Sequence, residues 1–295
     1  MKILVIGHTV VDRIFTKGNE IVKPGGIFHS IIALKNISEI KDEIYLCSAI
    51  SKTDEDIFAE LYNKINRKYI SYVDRIPEVK LTLHDDKERE EIYNNINQNL
   101  IPPMDDLNDF DGIFINMITG FDVTLKQMER IRKRYKGVIY FDVHTFSRGI
   151  TEDMNRYFRR IPEFNKWASN IDILQANEKE MQTLSVNSEE IEIAAELISY
   201  GIKFIIVTKA ERGATLFFNK NDKMESVFIE GIKVNAVNKV GCGDIFGAVF
   251  FYNYIKSGDI IDSLRFANIT AGVSTLYSHI DEFKNMKRDV LQRYS

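Results

Sequence analysis

A glycine-rich turn with a carboxylate lies directly ahead of a long apolar segment. The run Gly241-Cys242-Gly243-Asp244 leads into residues 245–255, which are apolar almost throughout and predict a buried helix. Glycines at a helix N-terminus let backbone N–H groups converge where the helix dipole favours an anion such as phosphate. Asp244 could accept a proton from an attacking hydroxyl while the amides hold the charge on a transferred phosphoryl group. The alternative is structural, because Asp is a common N-cap and glycines form tight turns.

An oxygen-rich motif follows the apolar run at 171–175. It reads Asn177-Glu178-Lys179-Glu180, and such side chains at the end of a strand could hold Mg²⁺ through its waters, beside a nucleotide phosphate. Asn followed three residues later by Glu is also a capping-box pattern, and caps are far commoner than metal sites. The motif alone leaves both interpretations open.

Two features near the N-terminus could bind a hydroxyl-rich ligand. Paired glycines in Pro24-Gly25-Gly26 would let a ligand approach the backbone closely, although Pro-Gly is equally typical of a type II turn. Asp12 could accept hydrogen bonds from sugar hydroxyls, or it could be an exposed loop aspartate. Farther along, residues 208–217 predict a hairpin whose polar turn runs from Thr208 to Gly213.

The cysteines and histidines give no catalytic or metal-binding pattern. Cys47 and Cys242 cannot form a disulfide framework, and neither has a zinc-ligand spacing. The five histidines are scattered without HxxxH or HxH spacing: His8, His29, His84, His144 and His279.

Short apolar runs alternate with amphipathic segments along most of the chain, which is typical of strands joined by crossover helices. We predict an α/β fold with a doubly wound, mostly parallel sheet flanked by helices, whose ligands bind at the carboxyl ends of the strands. The predicted strands are residues 2–7, 44–50, 112–117, 138–143, 171–175 and 204–208. The predicted helices are residues 27–35, 55–67, 124–135, 178–184 and 188–200.

Two segments interrupt the alternation and predict a small β lid. Residues 13–24 and 69–101 mix strand-like pieces with charge, and Pro102-Pro103 marks the return. The main domain would comprise residues 1–12, 25–68 and 102–295. The other interpretation is a solvated hairpin without function.

Composition excludes several classes of protein. The 295 residues are 44% hydrophobic and 28% charged, with 39 Lys and Arg against 43 Asp and Glu, which argues against nucleic acid as the main partner. No apolar run approaches the roughly 20 residues that cross a bilayer, and residues 1–7 are too short for a signal-peptide core. We therefore expect a cytoplasmic protein without a membrane partner.

The motifs together resemble the ribokinase-like (PfkB) family of carbohydrate and nucleoside kinases over nearly the whole chain. They occur in the family's order, and the GxGD turn before an apolar helix is the most specific of them. The matching positions are Gly7 to Asp12, Gly25-Gly26, Asp142, Asn177 to Glu180, Thr208 to Gly213, Gly241 to Asp244, and Leu264 to Asn268.

The resemblance implies transfer of the γ-phosphoryl group of ATP to a primary hydroxyl of a sugar or nucleoside. Asp244 would be the general base, with the amides of residues 241–243 as the anion hole. The remaining roles are implied in the same way: Asn177 and Glu180 for Mg²⁺ and phosphate, Thr208 and Gly213 for the nucleotide, Asn268 for adenine, and Asp12, Gly25, Gly26 and Ser30 for the substrate. The lid would close over the substrate, and a homodimer could form through it.

Three departures from the family pattern bear on the substrate pocket. Asn238-Lys239-Val240 replaces Asp-Thr-x before the GxGD, so a family-type monovalent-cation site is in doubt. Ser30 replaces an Asn and has a shorter reach. Ala210 replaces a turn glycine and would be strained at positive φ.

Two other functions stay open at this point. A nucleoside kinase would be indicated if Phe28 stacked on a base rather than packing in the core. A non-catalytic sugar or nucleotide sensor would be consistent with the three departures. A dinucleotide dehydrogenase fits poorly, because no GxGxxG follows the first strand.

Overall fold

The computed structural model describes residues 1–16, 19–82, 90–96, 98–153 and 155–294. Within them the strands are β1 (Lys2–Ile6), β2 (Thr9–Thr16), β3 (Asn19–Gly26), β4 (Glu43–Ile50), β5 (Asn66–Tyr72), β6 (Glu78–Thr82), β7 (Glu90–Asn94), β8 (Gly112–Asn116), β9 (Val138–Asp142), β10 (Arg148–Ile150), β11 (Arg156–Phe158), β12 (Ile173–Asn177), β13 (Phe204–Thr208), β14 (Gly213–Lys220) and β15 (Lys223–Glu230). The helices are α1 (Phe28–Ile37), α2 (Glu55–Tyr62), α3 (Leu125–Arg134), α4 (Phe164–Ala168), α5 (Glu178–Met181), α6 (Glu190–Ser199), α7 (Cys242–Ser257), α8 (Ile260–Ser274) and α9 (Met286–Tyr294).

A nine-stranded sheet forms the centre of the fold, in the order β15-β14-β13-β12-β9-β8-β1-β4-β5. The pairings from β13 through β12, β9, β8, β1 and β4 to β5 are all parallel, whereas β14 and β15 are antiparallel. All five residues of β8 are buried, as expected for a strand covered on both faces. The predicted α/β class with a mostly parallel sheet is confirmed.

Helix α7 packs against the sheet because it has no polar face over most of its length. Its first eleven residues include nine that are buried, and the helix contacts α1, α8, β8 and β9. Gly112 on β8 allows the closest approach, since a Cβ there would lie 2.6 Å from the ring of Phe251. Burial of this helix therefore fixes where its N-terminus lies.

A second, four-stranded sheet has the order β3-β2-β6-β7 and corresponds to the predicted lid. Its first segment is longer than the predicted 13–24 at both ends, because β2 starts at Thr9 and includes Asp12, and β3 ends at Gly26 and includes the glycine pair. The charged residues 85–89 of the predicted lid, with His84, lie outside the described residues. The division of the chain into two domains stays a prediction.

Two sequence predictions around residue 66 were wrong in their bounds. The helix predicted over 55–67 ends at Tyr62, and residues 69–72, at the start of the predicted lid segment 69–101, are instead part of β5. β5 pairs in parallel with β4 at the edge of the main sheet. Edge strands carry charged and exposed residues, so the mixed pattern of 66–72 resembled a lid segment.

Candidate active site

The turn at 241–244 forms the N-terminus of α7, as its glycines predict. Gly241 has φ +76°, a left-handed conformation, and a Cβ there would lie 2.2 Å from Cγ of His29. No atom of the described residues lies within 4 Å of a Cβ placed at Gly243, so open space adjoins this position. The turn is therefore closed on the His29 side and open at Gly243.

Asp244 lies in the first turn of α7, and two other segments of the chain hold it by hydrogen bonds, one to its carboxyl and one to its main-chain carbonyl. Asn116 at the end of β8 donates from Nδ2 to Oδ1 over 2.7 Å. Ser30 on α1 donates from Oγ to the main-chain carbonyl of Asp244 over 3.3 Å. His144 lies beside the same carboxyl, with Nε2 3.7 Å from Oδ1. The carboxylate is thus buried and oriented before any ligand binds.

Asp244 opens into a cavity of about 180 Å³ between the two sheets. Its polar lining comprises Asp12, His29, Thr119, His144, Lys239 and Asp244. The small sheet covers it with apolar side chains such as Val79, Leu81 and Tyr93. A ligand in this cavity would meet carboxylates and imidazoles below and an apolar roof above.

The cavity lies where the strand order of the main sheet reverses. β1 has β4 on one side and β8 on the other, so the segments that leave β1 and β8 diverge and open a crevice. Asp122 joins these two segments, because its Oδ1 accepts from His8 N and lies 2.8 Å from His8 Nδ1, while its Oδ2 accepts from Thr119 N. Burial alone would raise the pKa of Asp122, but His8 and the hydrogen bonds hold it below its ordinary value.

Asp12 and the glycine pair meet at one wall of the cavity. A Cβ at Gly25 would lie 2.3 Å from Oδ2 of Asp12, and a Cβ at Gly26, where φ is +62°, would lie 2.5 Å from the His8 carbonyl oxygen. The Asp12 side chain therefore lies flat over the glycine backbone. Ser30, the other predicted substrate residue, donates to the main-chain carbonyl of Asp244 and so supports the helix turn; its role in substrate binding stays a prediction.

Arg156 on β11 links the small sheet to the segment that follows β8. Its Nη2 donates to the Thr119 carbonyl over 2.8 Å, and its guanidinium lies over the ring of Tyr93, 4.4 Å from the centroid. Because Tyr93 belongs to the roof and Thr119 to the floor, this side chain spans the cavity wall.

The predicted phosphate and Mg²⁺ residues lie at the carboxyl ends of neighbouring strands. Asn177 at the end of β12 is opposite Thr208 at the end of β13. Asn177 Oδ1 accepts from Glu180 N over 3.0 Å, and Glu180 Oε2 accepts from Asn177 N over 2.8 Å, so the capping box is formed. The other carboxyl oxygen of Glu180, Oε1, takes no part in the capping box. Burial raises the pKa of this carboxyl.

Gln175 links this edge to the helix turn, although no local motif singled it out. Its Nε2 donates to Asp142 Oδ2 over 2.8 Å and to the Gly243 carbonyl over 3.1 Å, and its Oε1 accepts from Tyr140. Burial, reinforced by the charges of Glu180 and Asp244, raises the pKa of Asp142 well above its usual range.

The remaining predicted nucleotide residues lie around the hairpin of β13 and β14. Ala210 has φ +50°, so the strain expected of an alanine in this turn is present. Gly213 has φ +118°, and a Cβ there would lie 1.9 Å from the Ile229 carbonyl oxygen. Asn268 on α8 donates from Nδ2 to the Glu230 carbonyl over 2.7 Å and so holds the end of β15.

The family comparison matches the part of the chain that holds the α7 turn. Residues 152–283 match the pfkB family carbohydrate kinase model. Over these residues the chain resembles the pfkB family of carbohydrate kinases. A deoxyribokinase of Salmonella typhimurium is 31% identical over 129 residues, which are 40% of this chain and 41% of that protein. The match thus spans about two fifths of the curated relative.

Solved structures of the PfkB fold cover almost the whole chain. Ribokinase of Arabidopsis thaliana, complexed with ribose and ATP, has a TM-score of 0.75 at 15% identity and covers 100% of this chain and 98% of that one. An E. coli protein assigned to ribokinase II, in complex with ATP and Mg²⁺, has a TM-score of 0.76 at 18% identity and covers 99% of both chains. At these identities the likeness shows the fold.

Sequence reasoning missed four polar side chains of this candidate site. Asn116, Gln175, His29 and His144 contact the α7 turn or line the cavity, yet each comes from a separate strand end or helix. For Asn116 the usable signal was its position, because it ends β8 and ligands of such sheets bind at the carboxyl ends of the strands.

No three His, Cys, Asp or Glu side chains among the described residues are grouped to hold a metal directly. The described helices also include none with the length and apolarity to span a membrane.

Proposed function

We propose that this protein transfers the γ-phosphoryl group of Mg·ATP to a primary hydroxyl of a sugar or sugar derivative. The observation that carries the proposal is the position of Asp244. Its carboxyl is buried in the first turn of a helix, oriented by Asn116, and opens into a covered cavity beside a glycine turn.

In this proposal the acceptor hydroxyl binds against the carboxyl of Asp244. Asn116 donates to Oδ1 and so orients the carboxylate that takes the acceptor proton. As the acceptor oxygen forms its bond to the γ-phosphorus, the bond to the β-phosphate oxygen breaks and the proton passes to Asp244. The amides of Gly241, Cys242 and Gly243 face the developing negative charge, which is the main demand of phosphoryl transfer.

The carboxyl ends of β12 and β13 are the proposed donor site. Asn177 and Thr208 are neighbours there, and the oxygen of Glu180 that the cap leaves is chemically suited to bind Mg²⁺ through water. Bound Mg²⁺ would neutralise phosphate charge. Gly213 and Asn268 border the proposed nucleotide pocket, and the ATP and Mg²⁺ in the structural relatives support this assignment.

The walls of the cavity support a small polyol as acceptor. Asp12 lies over Gly25 with its carboxylate among the lining residues and is suited to bind sugar hydroxyls. The nucleoside alternative depended on Phe28, which is buried and packs edge-on against Phe58 and beside Tyr62. Phe28 therefore belongs to the core, and the nucleoside alternative loses the aromatic ring on which a base was expected to stack.

A homodimer through the lid and a cytoplasmic location stay predictions. Exposed apolar side chains on the small sheet, Ile21 and Val22 on β3 and Ile92 on β7, favour an interface there. Light scattering on the purified protein would measure the mass in solution.

The test is acceptor-dependent release of ADP from Mg·ATP across sugars, sugar acids, polyols and nucleosides. Pyrophosphate replaces ATP in a parallel series. We expect turnover with one class of sugar, and its loss in Asp244→Asn with nucleotide binding retained. Unchanged turnover in this variant would remove Asp244 from its role, and ATP binding without turnover on any acceptor would favour the sensor.

A further inference from the structure

His144 faces the carboxyl group of Asp244 at the cavity wall. Its Nε2 lies 3.7 Å from Asp244 Oδ1, and both residues line the cavity. The two side chains differ in exposure, with 38% of the His144 side chain accessible to solvent and 8% of that of Asp244. His144 is thus a titratable group between the buried carboxyl and water.

The backbone at His144 is held in a conformation that non-glycine residues rarely adopt. Its φ is +39°, and residues kept in such regions cluster at functional sites. His144 N donates to Asp142 Oδ1 over 3.2 Å, and Ser147 Oγ donates to the His144 carbonyl over 2.8 Å. These hydrogen bonds hold the unfavourable backbone conformation of His144. That conformation sets the direction in which the imidazole ring points.

The ring of His144 is oriented from its far side. Nδ1 lies 2.6 Å from Thr145 Oγ1. We assign the Nδ1 proton to this hydrogen bond, since the partner of one ring nitrogen sets the state of the other. Nε2 then presents its lone pair towards Asp244.

We propose that His144 is a proton relay that takes the proton from Asp244 after phosphoryl transfer. The inference rests on the function proposed above. The O–H bond of the protonated Asp244 carboxyl breaks as an N–H bond forms at His144 Nε2, and the imidazolium then loses a proton to solvent at the exposed edge. Asp244 is returned as a carboxylate for the next turnover.

The gap between His144 Nε2 and Asp244 is short enough for a proton to cross. The distance of 3.7 Å exceeds a hydrogen bond, and one water molecule or a small ring rotation closes such a gap.

The surroundings of His144 support a transient positive charge. Asp244 and Glu180 are acidic and interact electrostatically with the site, while burial lowers the pKa of His29 and so favours its neutral form. The titratable and charged groups that face the ring are Asp142 on β9, Glu180 on α5, His29 on α1, Asp244 on α7 and Lys239 ahead of it.

The test compares His144→Asn with wild type, using the acceptor found in the panel. Asn tolerates left-handed φ, so the backbone conformation is kept. We expect kcat to fall roughly 10²-fold, with KM for ATP and acceptor unchanged. Added imidazole should restore part of the loss, and the restoration should grow as pH rises and free imidazole increases. His279→Asn, an exposed histidine at a helix cap, is the matched control.

The outcomes separate the relay from the proposed function. Unchanged kcat in His144→Asn overturns the relay, as does a loss that imidazole fails to restore. A raised KM for the acceptor with kcat retained makes His144 a binding residue instead. Wild-type protein that transfers no phosphoryl group overturns the proposed function itself.

Discussion

The imidazole ring of His29 occupies the space that a side chain at position 241 would need. Gly241 adopts φ +76°, and the nearest ring atom lies 2.2 Å from where a Cβ would be. His29 and Gly241 come from opposite ends of the chain. Their contact fixes the start of α7, and with it the position of Asp244.

Gly241→Ala should therefore be disruptive through both sterics and backbone strain. We expect the free energy of unfolding to fall by about 2 kcal/mol or more, together with loss of phosphoryl transfer. Urea unfolding measures the first and ADP release the second. Gly243→Ala is the control for stability, because its Cβ would meet open space; an equal loss there would contradict the steric argument.

Ala210→Gly should stabilise the protein. Ala210 has φ +50°, and an L-residue in this region costs roughly 1 kcal/mol relative to glycine. We expect a gain of about that size in the free energy of unfolding. Ala194→Gly, within α6, is the matched control and should lose about 1 kcal/mol. A loss at both positions would show that the turn is not strained.

Asp142 should make stability decrease as pH rises. Burial, with Glu180 and Asp244 adding to it, raises the pKa of this carboxyl well above its usual range. The folded state then holds a proton that the unfolded state releases above pH of about 4. Between that pH and the raised pKa of Asp142, each further unit of pH lowers the free energy of unfolding, because the unfolded state releases the proton and the folded state keeps it. Unfolding measured against pH should show a smaller downward slope in Asp142→Asn, and identical slopes would refute the assignment.

Asn116→Asp should move the activity of the protein to higher pH. The new carboxyl would replace a donor 2.7 Å from Asp244 Oδ1, and two adjacent carboxylates raise the pKa of one of them. We expect the acidic limb of the kcat profile to shift upward by about one unit or more. Asn116→Ala separates the charge effect from loss of the hydrogen bond, since it should lower kcat without that shift.

The order of motifs along the chain predicted the fold and the turn at 241–244, because each depends on local residues. Glycines, the apolar segment after Asp244 and the capping pattern at Asn177 all act within a few positions. His29, Asn116 and His144 were missed because their roles depend on which strand ends meet. A neutral polar residue gives no local sign of its partner 128 residues away in the chain, as with Asn116 and Asp244.

The edge strand β5 illustrates the same limit in the fold. Its half-exposed, charged pattern is compatible with either sheet, and pairing with β4 decides between them. Local propensity contains no information on such a choice.

The hydrogen bonds that orient Asp244 also determine when the site can form. Ser30 and Asp244 are 214 positions apart, and Asn116 and Asp244 are 128 apart. Contacts at such separations close late in folding, because the loop entropy must be overcome first. During synthesis Asn116 and Ser30 have no Asp244 to bond until α7 has emerged and docked. Strands in the N-terminal half can therefore pair before the protein is active. The return of turnover during refolding then reports that the whole chain has folded.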